Sequence, residues 1–368
     1  MRENVRVVHL TSVHAHDDVR IFSKECVSLV NRGFDVTLIA PGTDDHVETG
    51  VRILGVPRVS GRLRRMFLTT LRVYRRACRE KADIFHFHDP ELLPWGLLLK
   101  FRGYKVIYDV HEDVPRQILS KFWIHSALRW VISWGFEKLE IFISKQLDGV
   151  VAATPHISER FSRINQNTVN VNNYPLPYEL APPADGYERR NQVCYVGGLS
   201  RIRGIKPLIE ALGFIPGIRL VLCGQFSDRS FESELRLLHG WGQVDYRGQV
   251  ERAGVREVMS ESVAGILTYF PVPNHIEAQP NKLFEYMSAE LPVIASDFPL
   301  WRRIIDGAGA GLCVDPMSPK AIAEAIQELV NHPENAVRMG KAGRQAVLER
   351  YNWSTEVSKL ITYYEGLL

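Results

Sequence analysis

Two glutamates with seven residues between them, Glu277 and Glu285, form the segment of the sequence best suited to chemistry. Pro280 stands between them at a position typical of the first turn of a helix, so Glu277 would precede the helix and Glu285 would lie within it. The free amides at a helix start attract a diphosphate, and carboxylates accept hydrogen bonds from sugar or ribose hydroxyls. The segment is therefore suited to a nucleotide sugar, although a capped helix with solvated glutamates would show the same pattern.

The sequence around this segment alternates strand patterns with helical patterns, which predicts an α/β protein with parallel sheets covered by helices on both faces. The strands predicted first are Val5–Ser12, Phe34–Pro41, Val51–Val56, Asp83–His88, Lys105–His111 and Val150–Ala153, with a helix over Asp18–Asn31. The later strands are Val193–Val196, Arg219–Cys223, Val244–Tyr246, Gly265–Phe270, Val293–Ser296 and Gly311–Val314. Ligands of such sheets bind at the carboxyl ends of the strands.

The length of 368 residues indicates two domains, and a proline-rich stretch marks the expected linker at 177–190, between domains at 1–176 and 191–352. A formal net charge of +3 implies no general polyanion partner. Five scattered cysteines favour a reducing compartment without a disulfide framework. Polar residues at the start, and the lack of a long apolar run, predict neither a signal peptide nor a transmembrane helix.

The segment from Glu277 to Glu285, continuing into Tyr286-Met287 and the strand at 292–296, resembles the retaining glycosyltransferases of family 4. A second motif of that family resembles Val196-Gly197-Gly198-Leu199 followed by Arg203-Gly204. The resemblance implies the GT-B fold: two Rossmann-like, doubly wound domains facing a central cleft, with helix 353–368 packing back on the first. Gly198 stands where the family usually has arginine, and the family's glycine-rich loop after the first strand is absent.

The resemblance assigns catalytic roles to three residues. Glu277 would contact the transferred sugar, Arg203 would neutralise the leaving diphosphate, and His111 would face the donor sugar. Glu285 would bind the ribose. The other donor-binding candidates are Gly197, Gly198, Arg201, Val250, Asn281, Lys282 and Leu283. The alternatives are a solvated surface arginine at Arg203 and a core histidine at His111.

The acceptor-binding candidates are Asp18, Arg20, His88 and Asp89. Similar transferases of envelope-polysaccharide pathways carry an Asp-x-Arg-Ile pattern like the one at Asp18, although Asp17 or Asp18 could simply cap the helix. His86 and His88 share a strand face, as metal ligands would. No third ligand has metal-like spacing, so no metal and no other cofactor is expected.

Two further segments suggest contact with an anionic membrane. One is a basic window containing Arg58, Arg62, Arg64, Arg65, Arg72, Arg75, Arg76, Arg79 and Lys81. The other is a group of aromatic and basic residues containing Lys121, Phe122, Trp123, Arg129, Trp130, Trp134, Phe136 and Lys138. Such composition suits the headgroup region of a bilayer. A solvated basic helix and a buried tryptophan cluster are the alternatives.

Together these features predict a retaining, metal-independent hexosyltransferase that acts on the cytoplasmic face of the bacterial cell membrane. The expected donor is a UDP-sugar, with a GDP-sugar second, and the expected acceptor is a polyprenyl-diphosphate-linked glycan of an O-antigen, capsule or exopolysaccharide pathway. The alternatives are a non-catalytic nucleotide-sugar-binding protein and a nucleotide-sugar epimerase of the same fold. Nucleic-acid binding is the least supported, because no reading motif accompanies the arginines.

Overall fold

The structure, a computed structural model, describes residues 5–61, 64–119, 124–182 and 189–368. The chain divides into two compact units, the first comprising Met1–Asn173 and Trp353–Leu368 and the second Tyr174–Asn352. The predicted linker begins within the second unit, and its residues 183–188 lie outside the described residues. Arg62, Lys121, Phe122 and Trp123, predicted to face a membrane, also lie outside them.

The first unit is built on an eight-stranded sheet with the order β3-β4-β2-β1-β5-β6-β7-β8. Its strands are β1 (Arg6–Leu10), β2 (Asp35–Pro41), β3 (His46–Glu48), β4 (Val51–Val56), β5 (Ile84–Phe87), β6 (Lys105–Val110), β7 (Gly149–Ala152) and β8 (Thr168–Asn170). All pairs are parallel except β3 with β4. The strand order reverses between β1 and β5, and ligands of doubly wound sheets bind at such a point.

Helices connect these strands. Residues Val19–Cys26 form π-helical turns that continue as an α-helix over Val27–Val30, and we call the whole segment α1. The segment α2 likewise joins Arg65–Thr69 to Thr70–Ala77. The others are α3 (Leu93–Phe101), α4 (Val114–Leu119), α5 (Ser126–Ser144) and α6 (Pro155–Ser162). π-Helical turns are rare and often occur at functional sites, which makes α1 notable.

The second unit contains a fully parallel six-stranded sheet with the order β11-β10-β9-β12-β13-β14. Its strands are β9 (Gln192–Val196), β10 (Arg219–Cys223), β11 (Val244–Gly248), β12 (Ala264–Leu267), β13 (Val293–Ser296) and β14 (Gly311–Val314). Its helices are α7 (Ile205–Leu212), α8 (Arg229–Arg236), α9 (Arg252–Glu261), α10 (Pro273–Ile276), α11 (Asn281–Ser288), α12 (Pro299–Ala308), α13 (Pro319–Asn331) and α14 (Pro333–Glu349). The strand order reverses between β9 and β12.

The last helix, α15 (Trp353–Leu367), belongs to the first unit. The indole nitrogen of Trp353 donates to the Ser28 hydroxyl at 2.9 Å, and the backbone amide of Asn172 donates to Glu356 at 2.8 Å. Tyr364 is fully buried. These polar and apolar contacts explain why the final helix is part of the first unit despite its position in the sequence.

Most predicted strands are present within one to three residues of their predicted ends. The sequence did not predict β3 and β8, because each has three residues and neither carries an apolar run. No helix among the residues that the structure describes is both long enough and apolar enough to cross a bilayer.

Candidate functional site

The two glutamates of the second unit have different surroundings. Glu277 follows α10 and is exposed, whereas Glu285 lies in α11 and is only 8% exposed. The Glu285 carboxylate accepts hydrogen bonds from Lys282 Nζ at 2.5 Å and from Arg252 Nη1 at 3.1 Å. Burial would raise the pKa of Glu285, but Lys282 and Arg252 outweigh burial and lower it. Glu285 is therefore a buried, ionised hydrogen-bond acceptor.

Buried aromatic residues fix the position of α11. The Tyr286 ring packs on Gly265 of β12, where a Cβ would come within 2.4 Å of the ring. Its hydroxyl accepts a hydrogen bond from the backbone amide of Val196 at 3.0 Å, at the end of β9. Trp301 donates from its indole nitrogen to the Ala278 carbonyl at 2.7 Å, which pins the loop after Glu277. The Glu277–Glu285 segment is thus held at the carboxyl edge of the sheet.

The glycine turn after β9 lies at the same edge. Gly197 has φ +148° and Gly204 has φ +68°. A Cβ at Gly204 would be 1.7 Å from the Thr268 carbonyl oxygen, so this position requires glycine. Arg203 donates from Nη1 to the Gly198 carbonyl at 3.2 Å, and its guanidinium lies 5.4 Å from the centroid of the Tyr269 ring. The side chain of Arg203 therefore folds over the glycine turn.

The other donor-binding candidates lie around this edge. Arg201 pairs with Glu234, and its guanidinium is 4.6 Å from the centroid of the Phe231 ring, so its charge is engaged away from the turn. Val250 follows β11 and packs against the core, two residues before Arg252. Asn281 and Lys282 begin α11. Leu283 is buried, and its amide donates to the Pro280 carbonyl at 3.1 Å.

In the first unit, several charged residues lie close together near the carboxyl ends of β1, β5 and β6. Arg20 in α1 is buried and makes two hydrogen bonds from Nη2 to the Asp109 carboxylate, at 2.9 and 3.1 Å. Asp109 Oδ2 lies 2.9 Å from His111 Nε2 and 3.2 Å from His88 Nδ1. Burial would raise the pKa of Asp109, but Arg20 and His111 outweigh burial and hold it well below its ordinary value. Asp109 is thus an ionised anchor for His111.

Asp18 and Asp89 have structural partners in the same region. The Asp18 carboxylate caps α1 by accepting from the amides of Arg20 and Ile21, at 2.9 and 3.0 Å, and it also lies 3.1 Å from His14 Nδ1. The buried Asp89 carboxylate accepts from the Ser12 amide at 2.6 Å. The partly exposed side chains here are His14, Asp18 and His111, whereas Arg20, His88 and Asp89 are buried.

Comparisons with known proteins agree with this architecture. The sequence profile "Glycosyltransferase Family 4" matches residues 25–171, and the profile "Glycosyl transferases group 1" matches residues 181–346. A phosphatidyl-myo-inositol mannosyltransferase of Mycobacterium leprae is 26% identical, with 91% of this chain and 88% of the relative covered. The chain belongs to the family 4 type of glycosyltransferases, with the GT-B fold.

Two other similar proteins extend the comparison. A GDP-mannose:cellobiosyl-diphosphopolyprenol alpha-mannosyltransferase of Xanthomonas oryzae pv. oryzae is 26% identical over 78% of this chain and 75% of the relative. The crystal structure of Anabaena Alr3699/HepE, solved with UDP and glucose, superimposes with a TM-score of 0.76 at 13% identity, covering 99% of this chain and 100% of that one. At this identity the structural match shows the fold alone.

The structure also reveals residues of the glycosyltransferase that sequence reasoning missed. Arg252 contacts Glu285, and only its place at the start of a helix after a strand could have indicated this. His14 pairs with Asp18 four residues later, a spacing visible in the sequence. Asp109 stands two residues before His111, but only the structure shows that it pairs with Arg20.

Proposed function

We propose that this glycosyltransferase moves a hexose, with retention of configuration, from a nucleoside-diphosphate sugar to a lipid-linked glycan acceptor during synthesis of a bacterial surface polysaccharide. The observation that carries the proposal is the buried, ionised Glu285 of α11. Its carboxylate is paired with Lys282 of the same helix and with Arg252 of α9. A carboxylate offers about four acceptor positions. Two cations occupy part of them, and the ribose hydroxyls would take the rest.

The surrounding groups suit the remainder of the donor. The start of α11 and the backbone at Gly198 would face a diphosphate, whereas the Gly197 amide already donates to the Cys223 carbonyl at 2.9 Å. Arg203 supplies the bidentate cation that phosphate oxygens favour. We propose UDP as the donor nucleotide, because the structurally similar Anabaena protein was crystallised with UDP and glucose. GDP is the second candidate, because the Xanthomonas relative is named for GDP-mannose.

The proposed reaction needs no protein nucleophile. The acceptor hydroxyl attacks the anomeric carbon on the face that the diphosphate leaves, the carbon–oxygen bond to the diphosphate breaks, and a phosphate oxygen takes the hydroxyl proton. Arg203 stabilises the charge on the leaving diphosphate. Glu277 and His111 contact the transferred sugar. The sequence has no Asp-x-Asp motif, and we propose that Arg203 and Lys282 do the work of a metal at the diphosphate.

The lipid-linked acceptor fits an unusual surface of the first unit. Helix α5 directs Ser133 and Glu140 inward, whereas Trp130 and Trp134 are 64% and 53% exposed. Leu128, Ile132, Leu139 and Phe142 form a second exposed apolar row at spacings of three, four and seven residues. The exposure of Trp130 and Trp134 argues against the buried tryptophan cluster considered above. Soluble proteins rarely expose an apolar face of this extent, and such faces mark sites of protein or membrane contact.

The apolar surface continues onto neighbouring helices. Helix α3 packs against both α2 and α5, and it exposes Leu98 and Phe101. In α2, Phe67 is 68% exposed beside the exposed Arg64 and Arg72. Aromatic and basic side chains on one helical layer suit an anionic bilayer. We propose that this layer places the enzyme on the cytoplasmic face of the membrane, where a polyprenyl-diphosphate acceptor resides.

Thermal unfolding in the presence of UDP, GDP and ADP tests the donor site. A ligand that binds only the native state at about 100 times its Kd adds roughly 2.7 kcal/mol of stability, so one diphosphate should raise the Tm by several degrees. Glu285→Ala and Arg203→Ala should abolish the shift. Glu261→Gln is the matched control, because Glu261 is also a largely buried, ion-paired glutamate of the second unit. A folded wild-type protein that responds to no nucleotide contradicts the proposal.

Cosedimentation with lipid vesicles tests the membrane surface. The wild-type protein should bind vesicles containing phosphatidylglycerol, and Trp130→Ser with Trp134→Ser should weaken binding by about tenfold or more, since each buried aromatic ring contributes roughly 1.5–3 kcal/mol. Phe214→Ser removes a similarly exposed aromatic residue from the second unit and serves as the control. Equal binding by the tryptophan and phenylalanine variants would contradict a role for α5.

A further inference from the structure

Three histidines and one glutamate converge in the core of the first unit. His9 lies in β1, His86 in β5, His88 directly after β5, and Glu25 in the π-helical part of α1. None of the four side chains has any solvent exposure. Each offers one nitrogen or oxygen atom, and these atoms all lie within 4.8 Å of one another. The cluster is therefore a compact set of metal-type donor atoms in a dry environment.

The distances within the cluster fit a bound ion. Glu25 Oε2 lies 3.8 Å from His9 Nδ1, 3.9 Å from His86 Nδ1 and 3.9 Å from His88 Nε2, and His9 Nδ1 lies 2.9 Å from His88 Nε2. The three distances from Glu25 match a tetrahedron with edges of about 3.8 Å, whose centre lies about 2.3 Å from each corner, close to the roughly 2.0–2.2 Å bonds of zinc to nitrogen and oxygen. The His9–His88 distance of 2.9 Å is shorter, so these two rings would move apart by a few tenths of an ångström to hold an ion. A metal ion at that centre would reach all four groups.

His9 Nδ1 and His88 Nε2 share a hydrogen bond that a metal ion would replace, whereas the carboxylate of Glu25 is left without one among the described residues. Neither carboxylate oxygen of Glu25 accepts a hydrogen bond from the described residues, although Arg20 Nε lies 3.2 Å from Oε1. A buried polar group without a hydrogen bond costs about 1–3 kcal/mol, and more when it is charged. The Tyr364 hydroxyl lies 2.5 Å from His86 Nδ1 and competes for that nitrogen. His9, Glu25 and His88 are thus the better-placed ligands, with His86 as the fourth.

Asp109 adds an independent observation. It lies 3.2 Å from Nδ1 of His88, on the side of the ring opposite to the nitrogen that faces Glu25. Metal-binding histidines usually donate their other ring nitrogen to a carboxylate or a carbonyl, which fixes the tautomer and the ring orientation. Asp109 is placed to do this for His88. The outer nitrogen of His88 therefore has the partner expected of a metal ligand.

We propose that His9, Glu25, His86 and His88 bind one divalent transition-metal ion, with zinc as the representative, inside the first unit. Imidazole and carboxylate donors suit zinc, and four protein ligands leave no open position, which is the pattern of a structural site. The ion would connect β1, α1 and the end of β5. This role is separate from the transfer reaction, for which we propose no metal at the diphosphate.

Metal analysis of the untagged full-length protein, followed by replacement with cobalt, tests the proposal. Protein grown with added zinc and then desalted should carry about one equivalent per chain. Removing zinc with a chelator should lower the Tm, and Zn²⁺ should restore it. Co²⁺ added to the metal-free protein should give the visible absorption of a four-coordinate site. Folded wild-type protein that holds no metal and takes up neither Zn²⁺ nor Co²⁺ overturns the proposal, whatever the variants do.

Variants locate the ion. Glu25→Gln keeps the shape of the side chain and should weaken zinc binding by at least about 100-fold, the upper end of the loss when only an outer partner is removed. His16→Ala is the control, because His16, His46 and Glu48 form a more exposed group that could bind zinc adventitiously. Zinc retained in Glu25→Gln but lost in His16→Ala would place the metal at the surface and overturn the buried site.

Discussion

The candidate sites of the two units hold their charges in different ways. In the second unit, Glu285 is paired with Lys282, three residues earlier in the same helix, and with the partly exposed Arg252. In the first unit, Arg20 and Asp109 are separated by 89 positions and are both buried. The second unit therefore draws one of its two cations from the same helix and the other from a partly exposed arginine 33 positions away. The first unit uses a buried network that exists only after the sheet and α1 have packed.

The difference has an energetic consequence. A partly exposed ion pair contributes little to stability, because water and salt screen it. A buried pair adds little compared with apolar residues, but removing one partner leaves the other charge buried and uncompensated. The two units should therefore respond unequally to loss of one arginine.

The largest expected effect is that of Arg20→Met, which should lower the unfolding free energy by about 3–5 kcal/mol, because the ionised Asp109 would stay buried without its cation. Arg201→Met removes an arginine whose pair with Glu234 is partly exposed, and the loss of stability should be far smaller, because water and salt screen that pair. Urea unfolding measures the change in unfolding free energy of each variant. Amide hydrogen exchange of β5 and β6 reports separately on the first unit.

Similar losses in the two arginine variants would show that the contrast between the units is wrong. A double variant sharpens the test. Arg20→Met combined with Asp109→Leu removes both charges and should recover much of the stability. The same variant should remain inactive, because His111 would lose the carboxylate 2.9 Å from its Nε2. Recovery of both stability and activity would contradict the role of Asp109 as the anchor of His111.

The same contrast explains what the sequence could predict. The Glu277–Glu285 motif is contiguous, and Pro280 marks its helix, so the sequence alone identifies the segment. The network of the first unit has no such local signature. His86 lies in β5 and His88 directly follows that strand, but His9 is 79 positions from His88, and Glu25 comes from a helix. Strand periodicity shows that a residue points inward, but it does not show which buried polar residues meet.

The predictions for Asp18 and Arg20 illustrate the same limit. The sequence pattern correctly places both residues at the start of a helix. Sequence alone could not show that Arg20 is buried, because arginine is usually exposed. The partner Asp109, supplied by a distant strand, and the Val171 carbonyl offset the free-energy cost of burying Arg20.

The pH dependence of donor binding gives a smaller effect. The pKa of Glu285 is lowered, so the contribution of its ionised form is present above the ordinary glutamate range and is lost only as the pH falls through the lower, folded-state value. The affinity for UDP-glucose, whose diphosphate does not titrate near neutrality, should therefore stay constant from neutral pH down past the ordinary glutamate range. Calorimetry at a series of pH values measures this.

Arg252→Met should raise the pKa of Glu285 by removing one of its two cations, so that binding begins to weaken at a higher pH than in the wild-type protein. The matched variant Arg201→Met keeps both cations and should leave the pH profile unchanged. An Arg252→Met profile that coincides with that of the wild-type protein would show that Arg252 does not hold Glu285 in its ionised form.

The smallest expected effect concerns His14 and Asp18, the most exposed charged pair of the first unit's candidate site. The hydrogen bond to Asp18 raises the pKa of His14 above its ordinary value of 6.5 despite partial burial. The stabilisation is therefore fully present below pH 6.5 and is lost as the pH rises through the folded-state value. An NMR titration of the His14 ring should show a midpoint above 6.5, and Asp18→Asn should lower it. A midpoint unchanged by Asp18→Asn would assign the shift to Asp89, whose Oδ1 lies 3.4 Å from His14 Nε2, and would join His14 to the buried network.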